Sequence, residues 1–140
     1  MDQERLWNLS FLGLGTSNAL FYMTQYMLIA TLPIVILMWG GSAIEAGLAM
    51  TWFQVGTIIM RPLAGKIMNS FDKRWVLLGS TILFLLIMGA FNWVRSMELI
   101  YFLRGLHGMI FAIGTTITAA IAVMVIPKKR RGEGISMFAV

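Results

Sequence analysis

The chain has no cysteine and little charge. Without a thiol there is no disulfide, no thiolate metal site and no cysteine nucleophile. Charged residues make up 12% of the 140 residues, about half the ~25% of an ordinary soluble domain. That is too little to cover a water-facing surface. There is also one histidine only, and no acidic residue deep in an apolar run, so no enzyme and no metal or other cofactor site is expected. What is present is apolar: 59% hydrophobic residues, with five Trp and nine Phe. Such a composition excludes intrinsic disorder. The net charge of +5 could suggest nucleic acid elsewhere, but here it records where basic residues sit relative to a bilayer, and no nucleic-acid partner is expected.

Charges divide the sequence into spans. Residues 6–44, 46–60, 75–94 and 105–127 contain no Asp, Glu, Lys or Arg. A helix rises about 1.5 Å per residue, so crossing a ~30 Å hydrocarbon core takes about 20 apolar residues. The runs starting at Trp75 and Gly105 satisfy this directly. The first run is longer, but nothing in 18–31 signals a turn. It reads as one helix over about 9–37, with Pro33 in its last turns and a stop at Trp39-Gly40-Gly41-Ser42. Further spans are expected at about 43–66, 75–94 and 98–126, with Pro127 and the basic run 128–131 ending the last. Glu45 lies at the start of the second span, where the helix dipole favours an anion, and Arg61 and Lys66 can snorkel from its other end. The first run far exceeds the 7–15-residue core of a signal peptide and no small-residue cleavage pattern follows. Runs this long are no barrel strands. The fold class is an all-α membrane protein, a polytopic helical bundle with lipid as its solvent.

Basic residues set the expected orientation. With a cytoplasmic N-terminus, Arg5, Lys66, Lys73, Arg74, Lys128, Lys129, Arg130 and Arg131 lie inside and only Arg95 outside, while Arg61 and Arg104 belong to helices. Eight against one is a positive-inside pattern for a multi-pass protein of the cell membrane.

Polar residues within spans are costly in lipid and therefore mark function. In the first helix Asn18, Tyr22, Gln25 and Ile29 share a face, with Tyr26 beside them. Gly47, Thr51, Gln54, Ile58 and Arg61 repeat the pattern in the second, and Arg104, His107, Phe111, Thr115 and Thr118 in the fourth. The third is apolar apart from Ser80 and Thr81. A wet cavity lined by helices one, two and four is expected, with the third as a lipid-facing buttress. Asn18, Tyr22, Gln25, Tyr26, Gln54, Arg104 and His107 are the candidate substrate-cavity residues. The alternative for the amides and threonines is interhelical hydrogen bonding. Arg104 needs a carboxylate, carbonyls, water or an anionic substrate, with outward snorkelling or Glu98 as its other outlets. His107, one turn deeper, titrates near neutral pH, so Arg104 and His107 are the proton-coupling candidates. Gly108, Ala112 and Thr116, Gly13 and Ser17, and Gly15 and Ala19 form small-residue faces for close helix packing.

The segment Arg61-Pro62-Leu63-Ala64-Gly65-Lys66-Ile67-Met68-Asn69-Ser70-Phe71-Asp72-Lys73-Arg74 resembles the signature loop of the major facilitator superfamily: Gly, three residues, Asp, a basic residue, any residue, Gly and two basic residues. Gly65 matches the first glycine and Lys73 and Arg74 the basic pair, and the Arg-Pro-Leu-Ala-Gly lead-in is similar to drug-efflux branches. Asn69, Ser70 and Asp72 depart from the pattern, displacing the acid of the family's charge latch to Asp72. Arg61, Gly65, Asn69, Asp72, Lys73 and Arg74 are on this resemblance the cytoplasmic gating loop. Leu103-Arg104-Gly105-Leu106-His107-Gly108 resembles the family's Arg-x-x-x-Gly motif, associated with proton transfer in proton-coupled members. The basic run and Glu133-Gly134 resemble the entry to a fifth helix, whose first turns would take up 135–140.

The resemblance implies part of the N-terminal half of a twelve-helix fold built from inverted three-helix repeats. It implies a secondary transporter exporting small, partly apolar molecules, coupled to protons, with the remaining transporter helices as partners. A self-contained four-helix exporter working as a dimer is the alternative. That class relies on a buried Glu in its first helix, which this chain lacks.

Overall fold

A computed structural model describes residues 7–138. Among them are four long helices, α1 (Leu9–Met38), α2 (Ala43–Ser70), α3 (Lys73–Ala90) and α4 (Met97–Val125), and a short α5 (Arg131–Ser136). No strand occurs among the described residues, and all four long helices are apolar enough to cross a membrane. Arg5, assigned to the cytoplasmic side, lies outside the described residues, as do the last two positions of the fifth-helix segment.

Local chemistry sets the helix ends. Asn8 Oδ1 accepts from the Phe11 amide at 2.8 Å and starts α1. Gly40 has φ 81°, a conformation that suits a residue without Cβ, and the Gly40 and Gly41 amides donate to the Leu37 and Ile36 carbonyls, each at 3.0 Å. This is a Schellman closure of α1. Ser42 and Glu45 then form a reciprocal capping box that opens α2. Asp72 Oδ1 accepts from the Arg74 amide at 2.8 Å and opens α3.

Three boundaries differ from expectation; one is the end of the third helix, at Ala90 rather than 94, followed by a 3-10 turn over Phe91–Trp93. The second helix continues to Ser70 rather than about 66, because no Gly or Pro interrupts 67–70. The third starts at Lys73 rather than Trp75 because Asp72 caps it. The signature segment is thus mostly helix, and only Phe71 and Asp72 separate α2 from α3.

The bundle is organised around α4. Its most extensive partner is α2, followed by α3 and α1, whereas α1 and α2, consecutive in sequence, touch less. Three apolar layers stack along the axis. Phe11, Leu14, Ala122 and Ile126 fill one end. Phe21, Phe53, Phe84 and Phe111 fill the middle. At the other end Leu32, Ile36, Ala46, Ala49, Ile100 and Leu103 pack together with Val94. Glycine lets α2 and α4 approach: a Cβ at Gly108 would overlap the Phe53 carbonyl oxygen, and one at Gly56 that of Gly105. Of the other small-residue pairs, Gly13 and Gly15 have open space where a Cβ would go, so those faces close no contact among the described residues.

Candidate functional site

The polar residues of the spans separate into an enclosed, dry layer and an open one. The dry layer centres on Arg104, which is completely buried. Its Nε donates to the Ala49 carbonyl at 3.3 Å, and Nη1 donates to Gln25 Oε1 at 3.1 Å. Nη1 also lies 3.2 Å from His107 Nδ1, and Nη2 lies 3.4 Å from Met50 Sδ. The guanidinium carbon stands 4.6 Å from the centroid of the Phe53 ring, a cation–π distance. Contacts to carbonyls, a thioether and an aromatic face thus replace the water this cation gives up. Neither of the outlets expected for Arg104, outward snorkelling or Glu98, is used: the side chain is enclosed by α1, α2 and its own helix.

His107 is equally buried. A guanidinium carries only donors, so His107 Nδ1 must accept and its proton sits on Nε2. Nε2 has no hydrogen-bond partner among the described residues. The ring is enclosed by Phe53 at 5.0 Å, Phe84 at 5.1 Å and Phe111 at 6.3 Å between centroids. One level further, Thr118 Oγ1 donates to Asn18 Oδ1 at 3.2 Å, tying α4 to α1. Thr57 Oγ1 reaches the Gly108 carbonyl at 3.2 Å and ties α2 to α4.

The open layer is a groove of about 270 Å³ between α1 and α2, floored by Phe111 of α4. Tyr22, Gln25 and Tyr26 line it from α1, and Phe53, Gln54, Thr57 and Arg61 from α2. Tyr22 and Tyr26 stack with ring centroids 6.4 Å apart and planes 30° apart, and Phe111 meets Tyr22 edge-on at 5.2 Å. Gln25 belongs to both layers, with its carbonyl oxygen toward Arg104 and a place in the groove wall.

Both features belong to one recognisable scaffold. A family model, that of the Major Facilitator Superfamily, matches residues 14–140. The chain belongs to the major facilitator superfamily. It is therefore a multi-pass membrane protein of a transporter family. It matches no curated protein and no solved structure.

Of the residues singled out within this major facilitator chain, Tyr22, Gln25, Tyr26 and Gln54 meet around the groove. Arg104 and His107 stand behind it, and Asn18 pairs with Thr118 away from it. The α4 stripe, expected to face water, is buried in helix contacts from Arg104 to Thr118. Conversely, the α2 stripe of Gly47, Thr51, Gln54, Ile58 and Arg61 is exposed, since the same helix buries Ala46, Ala49, Phe53, Gly56, Thr57 and Ala64. Arg61, on the signature segment, lines the groove. The other signature residues lie elsewhere. Gly65 is half-buried with room for a Cβ, Asn69 and Arg74 are exposed, and Lys73 begins α3. Asp72 acts as a helix cap, its Oδ1 accepting from the Arg74 amide. In the basic run Arg130 pairs with Glu133 at 2.7 Å, and the hydrogen bond raises the Arg130 guanidinium above its ordinary pKa. Phe53, Phe84, Met50 and the Ala49 carbonyl, which complete the Arg104–His107 environment, carry no polar signal in the sequence.

Proposed function

We propose that this chain supplies the substrate-facing part of the N-terminal half of a twelve-helix major facilitator transporter. In this reading it sits in the cell membrane with a cytoplasmic N-terminus and exports small, partly apolar molecules in exchange for protons. The observation that carries the reading is the groove, an aromatic and amide-lined recess in the membrane-spanning region, backed by a buried arginine. Sites of this kind suit adaptable ligands, because rings offer stacking area while amides and hydroxyls fix orientation. Transport follows if the two halves rock about this recess. The helix-turn-helix segment bearing Arg61, Gly65, Asn69, Asp72, Lys73 and Arg74 lies at the cytoplasmic end in that orientation and gates the inner side.

Proton coupling rests on the Arg104–His107 contact. His107 Nδ1 can hold either the Arg104 hydrogen bond or a proton, but not both. A proton arriving at Nδ1 therefore releases Arg104 Nη1, which also holds Gln25 in the groove wall. Protonation at His107 and ligand contacts at Gln25 are linked through one guanidinium.

Inverted membrane vesicles carrying the complete gene product test this reading. Imposing a proton gradient, acid inside, should drive accumulation of small amphipathic aromatic compounds, and a protonophore should stop it. His107→Gln, which retains an acceptor for Arg104, should leave downhill flux while removing the response to the gradient. Gradient-independent flux in the unsubstituted protein would show that protons are not the coupling ion. Reporter fusions at Gly41 and Ser96 should report the outer side, and a cytoplasmic signal at either would overturn the orientation.

A further inference from the structure

The groove has a sign of charge. Among the described residues Arg61 is its only charged lining residue, and no Asp or Glu lines it. Arg61 is exposed and makes no ion pair or hydrogen bond with another described residue. Behind the wall stands a second guanidinium, Arg104, whose contacts are to neutral groups only. Two cations without a nearby carboxylate make the recess electropositive, and in a low-dielectric setting this field is weakly screened.

The neutral polar groups point the same way. The Arg104 hydrogen bond engages the carbonyl oxygen of Gln25 and so turns its amide nitrogen away from the guanidinium. That nitrogen has no partner among the described residues and is not enclosed, so it is offered to the groove as a donor. Thr57, by contrast, spends its hydroxyl proton on backbone carbonyls. The groove therefore presents a cation, an oriented amide donor and the stacked rings of Tyr22 and Tyr26. Such a set is complementary to a flat ring carrying an acidic group.

We propose, building on the groove reading above, that this site selects small aromatic anions, such as arene carboxylates, and discriminates against organic cations. The ring lies against Tyr22 and Tyr26, and the anionic group is held by Arg61 with the Gln25 amide as second donor. A guanidinium suits this role because its planar fork matches a carboxylate bidentately.

The test is equilibrium binding to the complete protein in zwitterionic-lipid nanodiscs, with empty nanodiscs as the partition control. Three probes share one ring system: 2-naphthoate, 2-naphthylmethanol and 2-naphthylmethylammonium. The anion should bind about tenfold or more tighter than the cation, the scale of one charge-assisted hydrogen bond. Arg61→Gln should bring the three affinities together, Arg61→Lys should retain the order of preference, and Tyr22→Ala should weaken all three. Equal binding of the probes, sensitive to Tyr22→Ala, would overturn the charge selection while leaving the groove as the ligand site. A preference that survives Arg61→Gln would overturn the role of Arg61. Absence of any Tyr22-dependent binding would overturn both this inference and the groove reading beneath it.

Discussion

Helices α3 and α4 are about equally apolar, yet they occupy opposite environments. In their most apolar stretches 50% of α4 is buried in the bundle, against 11% of α3. Hydropathy does not separate them, because lipid and a protein interior are alike in being apolar. What separates them is the pattern of exceptions. α4 carries Arg104, His107, Thr115 and Thr118 on one stripe and glycines at 105, 108 and 114. The polar groups must find partners and the glycines allow them to come close. α3 uses neither device for contact: its Ser80 and Thr81 hydroxyls turn back to the Leu77 carbonyl of the same helix, and a Cβ at Gly79 or Gly89 would meet nothing within 4 Å. Phe84 reaches inward, to lie against His107 and Phe21, and Ser80 is buried on the same side. In a membrane bundle, centrality is thus read from residues that lipid cannot satisfy.

This contrast can be broken most severely at Arg104. Arg104→Ala leaves His107 Nδ1, Gln25 Oε1 and the Ala49 carbonyl without their shared donor, and each buried polar group left unsatisfied costs about 1–3 kcal/mol. Transport in vesicles should fall to background while the protein still inserts in the membrane. Arg104→Lys should not restore it, since one ammonium cannot reproduce the spread of contacts to Ala49, Gln25, His107 and Met50. Normal transport in either variant would reduce Arg104 to a structural filler.

Gly108→Ala and Gly56→Ala come next. Each added methyl meets backbone of the opposing helix, which cannot turn aside as a side chain can. Overpacking of this kind costs about 1–3 kcal/mol, to be read as a lower midpoint of thermal unfolding in detergent. Thr118→Val should have a smaller effect. It removes the hydroxyl that ties Asn18 to α4, and interhelical hydrogen bonds in membranes are worth about 0.6–1.7 kcal/mol. Smallest of all should be Gly79→Ala on α3, where a Cβ meets nothing within 4 Å. Its effect should stay within about 0.5 kcal/mol. Should Gly79→Ala destabilise as much as Gly108→Ala, the division between a central α4 and a peripheral α3 would fail.

Much of this architecture was legible in residue order. The uncharged runs locate four spans, and Gly40 and Gly41 locate the first reversal. The lone arginine and histidine of the fourth span stand out because lipid offers them nothing. The groove was half legible: Tyr22, Gln25, Tyr26 and Gln54 were visible as polar groups on helical faces. Their separation from Arg104 and His107 was not, because a helical period says which residues share a face and not which neighbour that face meets. Gly56 and Phe53 also escaped notice. A glycine in a span has many uses, and a phenylalanine in lipid looks the same whether it faces acyl chains or a guanidinium.

The sequence by itself determined that this chain lies in a membrane as helices, and which four stretches form them. The physical reason is local: charge density, hydrogen bonding along one helix and capping side chains act within a few residues. Tertiary structure alone decided that α2 leaves its sequence neighbour α1 to pack chiefly on α4. Backbone approach at Gly56 and Gly108 makes that choice, and it moves the α2 polar stripe out to the groove. It also encloses Arg104 and His107 in a dry layer behind Gln25, because their partners come from helices distant in sequence.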